Sequence, residues 1–364
     1  MSDAARLRQV WMIARLQLMR VFFSKRSIWV YLLALFPAVI FLGHGVEVKW
    51  KRERWGAQKT PEAALQSIRR GDSDEEVLRK AGTPVTDFRS ESFRRHRAHM
   101  DEGGGSEPER RYMMFFDGAN RWDLRFENGI LQNKRSRPLN DLDDDRQIYA
   151  GVFQYFYLRL AIFFGCLGIF MNLFRGEMLD KTLHYWFLIP VRREVLLAGK
   201  YLAGLMASVL IFGTGAVLSF VLMLWPQDEA QLSAFWQAEG AAHLFWYAAA
   251  AGLACAGYGS VFLASGLLLR NPILPAVVIL AWESINGILP SLLQKLSVLY
   301  YVQALCPTPP PVNTNAPLLV RLLSAPAEPP PAAVSVLGVV AVTAVVLWLS
   351  ARAVRRLEIN YGVE

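Results

Sequence analysis

The sequence predicts a membrane all-α protein with six transmembrane helices, an N-terminal amphipathic helix and a small α+β domain inserted between helices 1 and 2. Three observations predict this class. Of the 364 residues, 53% are hydrophobic and 19% are charged, a balance that argues against a purely soluble chain. Several apolar stretches reach the roughly 20 residues that a bilayer-spanning helix needs. Residues 47–149, between the first two stretches, are instead rich in charges and turn signals.

The six candidate spans are mostly apolar, and the fifth is interrupted by Glu283, Asn286, Pro290 and Lys295. In chain order they are residues 27–46, 152–174, 195–225, 241–269, 272–299 and 332–350. The first span lacks a small-residue cleavage site and is therefore interpreted as a retained signal anchor. In the fifth, Asn286 and Pro290, with the proline run 307–311 that follows, predict a broken helix and a re-entrant chain, which protein or a cavity must enclose.

Basic residues are concentrated on one side of these spans. They precede the first span, lie between the second and third and between the fourth and fifth, and follow the sixth, whereas residues 226–240 and 300–331 contain only Arg321. The positive-inside rule then predicts cytoplasmic termini, and we expect a multi-pass protein of the bacterial inner (cytoplasmic) membrane. This topology explains the net charge of +8, so no nucleic-acid partner is expected.

Residues 4–22 place Leu7, Trp11, Ala14 and Leu18 at near-helical spacing, with arginines elsewhere on the helical wheel. The pattern predicts an amphipathic helix in the cytoplasmic segment 1–26. The alternative is a frayed basic tail before the first span.

Residues 47–149 carry the signals of a small extracytoplasmic domain. A helix is predicted after Pro61, and Ser73 with Glu76 forms a capping box before a second helix that ends at Gly82. Alternating residues 111–116 and 121–127 and the turns at 117–118 and 128–129 predict a three-stranded antiparallel meander. Trp122, Leu124 and Phe126 are expected in its core, with Arg121, Arg125 and Glu127 exposed. The glycines 103–105 are interpreted as a flexible insertion, and His96 and His99 as part of a solvated loop.

The order of these caps, turns and core residues, residues 68–84, Tyr112 and residues 126–131, resembles the SmpA/OmlA (BamE-like) fold. The resemblance covers most of the domain and implies a fold, not an activity. The domain lacks the lipidated cysteine of those lipoproteins, so their outer-membrane location is not implied. No nucleophile with a base and no metal constellation is recognisable in it.

Residues 177–200 form the most informative segment. Its charges exclude the bilayer core, yet Tyr185, Trp186, Phe187 and Leu188 make it too apolar for an ordinary solvated loop. We interpret it as a short helix against the membrane that offers these side chains to a partner. The alternative is an interfacial helix whose aromatic rings lie at headgroup level.

The membrane part resembles the permease subunit of type-2 ABC transporters, the ABC-2 family. The resemblance covers the chain outside the inserted domain and rests on the amphipathic segment, the six spans, Glu177, the pair 182–183, the stretch 190–193 and the pair 199–200. The family's usual glycine before the threonine is Lys181 here. The resemblance makes residues 1–26 a connecting helix, residues 150–364 the permease core with a cytoplasmic C-terminal tail, and the region near 177–190 a coupling helix.

The resemblance implies a permease that couples ATP hydrolysis on a separate nucleotide-binding subunit to export across the inner membrane. No GxxxxGK[ST] stretch is present, so this chain is not expected to be an ATPase, and ATP and Mg²⁺ would bind to the partner. A second permease copy or paralogue, the lipid bilayer and a periplasmic protein are the other expected partners. The residues expected to couple to the ATPase are Glu177, Thr182, Leu183, Tyr185, Trp186, Phe187, Pro190, Arg192, Arg193 and Arg270.

Arg159, Glu283 and Asn286 are the polar residues within the predicted spans that most need an explanation. Buried ionisable groups usually face each other, a bundle interior or a water path. Because Arg159 and Glu283 fall at similar depths in straight spans, an ion pair between them is one interpretation. The other is a protonated Glu283 beside a broken helix, with Arg159 extending toward the interface.

Two other classes of function remain open from the sequence. One is an ABC-type machine that transmits force without moving a substrate. The other is a non-transporting membrane scaffold or sensor whose extracytoplasmic domain binds an envelope protein.

Overall fold

The computed structural model describes residues 3–23, 27–89, 109–188, 191–269, 273–286, 291–309 and 329–356. The chain divides into two compact units. The first comprises Met1–Leu42, Asp143–Leu224 and Asp228–Glu364, and the second comprises Gly43–Leu142 with Trp225–Gln227. The predicted glycine loop 103–105 and His96 and His99 lie outside the described residues.

The first unit is helical. Its helices are α1 (Asp3–Phe23), α2 (Ile28–Gly56, which continues into the second unit), α5 (Leu142–Leu179), α6 (Leu183–Leu188), α7 (Arg193–Leu224), α8 (Glu229–Leu268), α9 (Ile273–Ile285), α10 (Ser291–Gln294), α11 (Val298–Ala304) and α12 (Ala332–Arg355). Five of the described helices, α2, α5, α7, α8 and α12, are long and apolar enough to cross a membrane. The apolar stretch Leu274–Ile285 is shorter.

Several helices are longer than the predicted spans. Helix α2 continues to Gly56, and an ion pair of 2.5 Å between Lys51 and Glu47, one turn apart, supports the extension. Helix α8 begins at Glu229, so most of the predicted loop 226–240 is helical. Apolar periodicity marks the part of a helix that is buried or in lipid, and it does not mark polar turns that continue it.

The predicted fifth span is broken. Helix α9 ends at Ile285, and the short helices α10 and α11 follow. The break at Asn286 is therefore confirmed, while Pro290 and part of the run 307–311 lie outside the described residues.

Aromatic side chains from α5, α7 and α8 form the centre of this unit. The Tyr149 ring lies 4.9 Å from that of Tyr247 and 5.3 Å from that of Phe220, between ring centroids. The Tyr149 hydroxyl donates to the Ala216 carbonyl (3.1 Å), and the Tyr157 hydroxyl donates to the Phe212 carbonyl (2.6 Å). Such packing and hydrogen bonding hold helices together where lipid supplies no hydrophobic drive between them.

The second unit is a small α+β fold. It contains the end of α2, α3 (Glu62–Ser67), α4 (Asp74–Ala81), β1 (Thr86–Arg89), β2 (Arg110–Phe116), β3 (Asn120–Glu127) and β4 (Ile130–Pro138). The four strands are antiparallel in the order β1-β2-β3-β4. The helices α3 and α4 cover one face of the sheet. The hydrophobic core lies between these helices and the sheet and consists of Leu65, Ile68, Val77, Ala81, Met113, Phe115, Trp122, Leu124, Phe126 and Leu131.

Local signals in this unit are mostly confirmed. The Ser73 hydroxyl accepts from the Glu76 amide at 3.2 Å, α4 ends at Gly82 with φ of 78°, and Gly118 and Gly129 have positive φ. Trp122, Leu124 and Phe126 are buried; Arg121 is exposed, and Arg125 and Glu127 are half-buried.

The three-stranded prediction is wrong, because β1 adds a fourth strand. This strand has four exposed residues, and only its pairing with β2 defines it. Arg111, which is buried, binds Asp87 of β1 and Asp74 of α4, each at 2.5 Å. The Arg111 guanidinium lowers the pKa of the Asp87 carboxyl, so β1 is attached through a charged contact that apolar periodicity does not reveal.

Candidate functional site

The turn between α5 and α6 is tight and well bonded. The amide of Thr182 donates to the Glu177 carbonyl at 2.8 Å, and that of Asp180 donates to the Gly176 carbonyl at 2.9 Å. Lys181 adopts a φ of 53°, a left-handed conformation that costs a residue with a Cβ about 1–2 kcal/mol. The surrounding bonds therefore hold the turn in a conformation that Lys181 alone would not favour.

A buried ion pair lies beneath this turn. The ammonium of Lys200, on α7, is fully buried and lies 2.6 Å from Glu177 Oε2 at the end of α5. It also donates to the Leu173 carbonyl at 2.5 Å. The other carboxylate oxygen of Glu177 accepts from Gln17 of α1 at 2.8 Å, and Arg20 lies 3.5 Å away. Three helices, α1, α5 and α7, are thus joined through one carboxylate.

The hydrogen bonding around this pair is nearly complete. Besides its two oxygen acceptors, the Lys200 ammonium lies over the rings of Phe174 and Trp186, at 4.9 and 5.4 Å from the centroids. A buried charge is tolerated only when paired and bonded in this way. Close approach of α1 to α7 depends on Gly199, where an added Cβ would lie 2.7 Å from Ile13.

The short helix α6 has an inner and an outer side. Leu183 is fully buried, and the half-buried Trp186 packs against Ile13, Val195 and Leu196. Tyr185 is 62% exposed and Leu188 is 77% exposed. Trp186 is therefore turned toward α1 and α7 rather than outward with Tyr185.

The remaining predicted coupling residues are placed differently. Arg193 donates to the carbonyls of Val354 (3.4 Å) and Arg355 (3.2 Å), at the end of α12, where cations are favourable. Glu194 pairs with Arg355 as well. Arg192 is exposed. The side chain of Phe187 and all of Pro190 and Arg270 lie outside the described residues.

Two adjoining pockets lie beside the turn between α5 and α6, and Glu177 lines the larger one. The larger, of about 440 Å³, lies between α1, the start of α2 and the end of α5, and the smaller, of about 340 Å³, is bounded by α1 and α6. They share Gln17, Arg20 and Thr182. The turn is thus bordered by open space on the side of α1.

The ion pair between Arg159 and Glu283, one of the two interpretations of the sequence, does not form. Among the described residues, which include both side chains, no ion pair joins them. Glu283 instead accepts from the Ser297 hydroxyl and from the Val298 amide (3.2 Å), and the Arg159 guanidinium lies 5.7 Å from the Tyr155 ring centroid. Because α9 stops at Ile285, the chain returns and brings the unsatisfied donors at the start of α11 to the carboxylate. Asn286, three residues after Glu283, is also buried.

Gln17 was not predicted as a site residue, and Lys200 was noted only in the pair 199–200 that begins the third span. Lys200 could have been found, because it is a lysine near the start of an apolar span with Glu177 as an acidic residue at the end of the preceding one. Gln17 had no such signal. Within the described part of the chain, no group of three or more His, Cys, Asp or Glu side chains is arranged to hold a metal ion.

Comparisons with known proteins give no assignment. No protein-family model matches this chain, and no curated protein matches it significantly.

Proposed function

We propose that this chain is the membrane-spanning permease subunit of an ATP-driven ABC exporter, which couples ATP hydrolysis on a separate subunit to export. The observation that carries the proposal is the braced helix α6, whose inner side is fixed by Leu183 and Trp186 and whose outer side presents Tyr185 and Leu188. A soluble ATPase can do work on a membrane protein only through a rigid contact of this kind.

The geometry supports a route for force. Helix α6 is connected through the turn at Lys181 to Glu177, which pairs with Lys200. A displacement applied at Tyr185 and Leu188 therefore reaches the turn and then this ion pair. Glu177 belongs to α5 and binds Gln17 of α1 and Lys200 of α7, so the displacement reaches all three helices. Since packed cores shift between discrete arrangements rather than deform continuously, a movement at this point can change the arrangement of the helices.

The resemblance to ABC-2 permeases supports the same proposal. The family places a glycine before the threonine of this segment, and here the backbone at Lys181 has positive φ, the conformation that glycine adopts most easily. The proposed assembly has two permeases and two ATPase subunits, which bind ATP and Mg²⁺. The distribution of lysine and arginine supports an inner-membrane location with both termini cytoplasmic.

The test uses the full chain co-expressed with the separate ABC ATPase subunit that the proposal requires. The double variant Tyr185→Ala/Leu188→Ala should weaken retention of the ATPase by on the order of thirty-fold, since two contact residues that each contribute about 1 kcal/mol together contribute about 2 kcal/mol of binding free energy. Leu337→Ala is the matched control, since Leu337 is 67% exposed and lies on α12. Unchanged ATPase binding and activity in the double variant, or ATP hydrolysis by the purified single chain, would refute the proposal.

A second candidate is an ABC-type machine that transmits force, or a scaffold or sensor, whose inserted domain binds an envelope protein. The compact α+β unit, with a core of its own, favours this alternative to simple export. A bound ATPase subunit would exclude the scaffold. With the ATPase bound, stimulation of ATP hydrolysis by an envelope protein, without movement of any substrate in liposomes, would favour the force-transmitting machine.

A further inference from the structure

The sheet of the α+β unit has one covered and one open face. Strand alternation places Met113, Phe115 and Leu124 under the helices α3 and α4, so the neighbouring positions face the other way. On that open face the cross-strand partners include Phe88 with Tyr112, Met114 with Asp123, and Asp123 with Arg135.

A groove of about 550 Å³ follows the open face. Its floor is formed by β1 to β4, and the end of α2 contributes Lys51 and Trp55 to its lining. The Trp55 and Phe116 rings meet edge-on with centroids 6.0 Å apart. The groove therefore has a helical wall beside a flat strand surface.

The lining of the groove is strongly basic. Four basic side chains line it, Lys51, Arg121, Arg125 and Arg135, against the single carboxylate of Asp123. Three of the four are already paired: Arg121 binds Asp123 at 2.7 Å, and two carboxylates outside the lining, Glu127 and Glu47, bind Arg125 at 2.9 Å and Lys51 at 2.5 Å. Among the described residues no carboxylate lies within 4.0 Å of Arg135. Arg135 is thus left for an anionic partner, and the groove keeps a net positive charge even with these three carboxylates counted.

Aromatic surface lies beside these charges. Phe88 is 56% exposed and Tyr112 is 41% exposed, and the two are direct cross-strand partners. The Arg125 guanidinium lies 5.8 Å from the Tyr112 ring centroid. Exposed aromatic side chains next to arginines are typical of protein recognition surfaces, where both residue types are enriched.

We propose that this groove binds an acidic, extended segment of a partner protein. Its carboxylates would pair with Arg135 and would compete with Asp123 and Glu127 for Arg121 and Arg125, because guanidinium groups bind carboxylates through two parallel hydrogen bonds. An apolar side chain of the segment would rest on Phe88 and Tyr112. A groove with a helical wall receives a single extended chain, whereas an anionic membrane surface is flat and would contact only its rim.

The test measures binding of a fluorescent peptide of alternating glutamate and valine residues to the full chain in nanodiscs of zwitterionic lipid. We expect saturable binding that weakens with salt, and no binding of the matched peptide with glutamine in place of glutamate. The variant Arg121→Gln/Arg135→Gln should raise the Kd about ten-fold, through loss of charged hydrogen bonds. The variant Phe88→Ala should weaken binding at every salt concentration.

The control is Arg70→Gln/Arg79→Gln, which removes the same charge from exposed arginines that do not line the groove. It should bind the peptide as the unchanged protein does. Equal weakening in both double variants would overturn the proposal, since binding would then follow net charge alone. The proposal also fails if the peptide does not bind while anionic vesicles do, or if the groove variants only abolish self-association of the chain. The readout is independent of the ATPase, so it can fail while the proposed function stands.

Discussion

Replacing Lys200 by methionine tests whether the buried pair with Glu177 is the structural centre of the site. At 2.6 Å the gross attraction of the two charges is about 6 kcal/mol at an effective dielectric constant of about 20, and much of it offsets desolvation. Removing one partner of a buried pair costs about 3–5 kcal/mol, because the other charge is left without compensation. Gln17 and Arg20 remain near the carboxylate, so we expect a loss near the lower end, about 3 kcal/mol.

The assay is a double-mutant cycle of unfolding free energies, measured by titration with a denaturing detergent. The singles are Lys200→Met and Glu177→Gln, and the double variant should be more stable than their summed losses predict, by at least about 1 kcal/mol. Lys295→Met is the control: Lys295 is exposed, and its loss should change stability by no more than about 0.5 kcal/mol. If Lys200→Met behaves like this control, or if the single losses simply add, the pair does not hold the site together.

Three further predictions follow from single contacts. The losses from Glu283→Gln and Arg159→Gln should add in unfolding measurements, since the two side chains form no ion pair; a strong favourable coupling would contradict the structure. Gly215→Ala should destabilise by about 1–3 kcal/mol, because its Cβ would lie 2.6 Å from the Ala34 carbonyl oxygen, whereas Gly213→Ala on the same helix meets nothing within 4 Å and should be near neutral. Arg111→Gln should reduce the acid sensitivity of the α+β unit, because Arg111 lowers the pKa of the Asp87 carboxyl. The stabilisation that Asp87 gains from Arg111 is present above the unfolded pKa of about 3.9 and is lost as the pH falls through the lower folded pKa. Amide exchange of β2 at decreasing pH should therefore rise less steeply in the variant, and equal slopes would refute this.

The features that the sequence predicted correctly are those encoded by residues close together in the chain. Apolar runs located the long helices because a bilayer-spanning helix is predominantly apolar over about 20 residues. Ser73, Gly82 and the turns at 117–118 and 128–129 were identifiable because caps and positive φ select particular residue types. Asn286 marked the break after α9 for a similar local reason.

Contacts between distant parts of the chain were decided only by the tertiary structure. Glu177 meets both Lys200 and Gln17 because α7, α5 and α1 converge, and the sequence contains no signal that places Gln17 there. Trp186 faces inward since its ring fills the space beside Ile13, although composition alone made it an outward aromatic like Tyr185. Glu283 bonds to the start of α11, and not to Arg159, because the broken helix brings backbone donors closer than a straight span would. Local patterning determines which segments are helical, while the competition among partners for each buried charge is settled only when those helices pack.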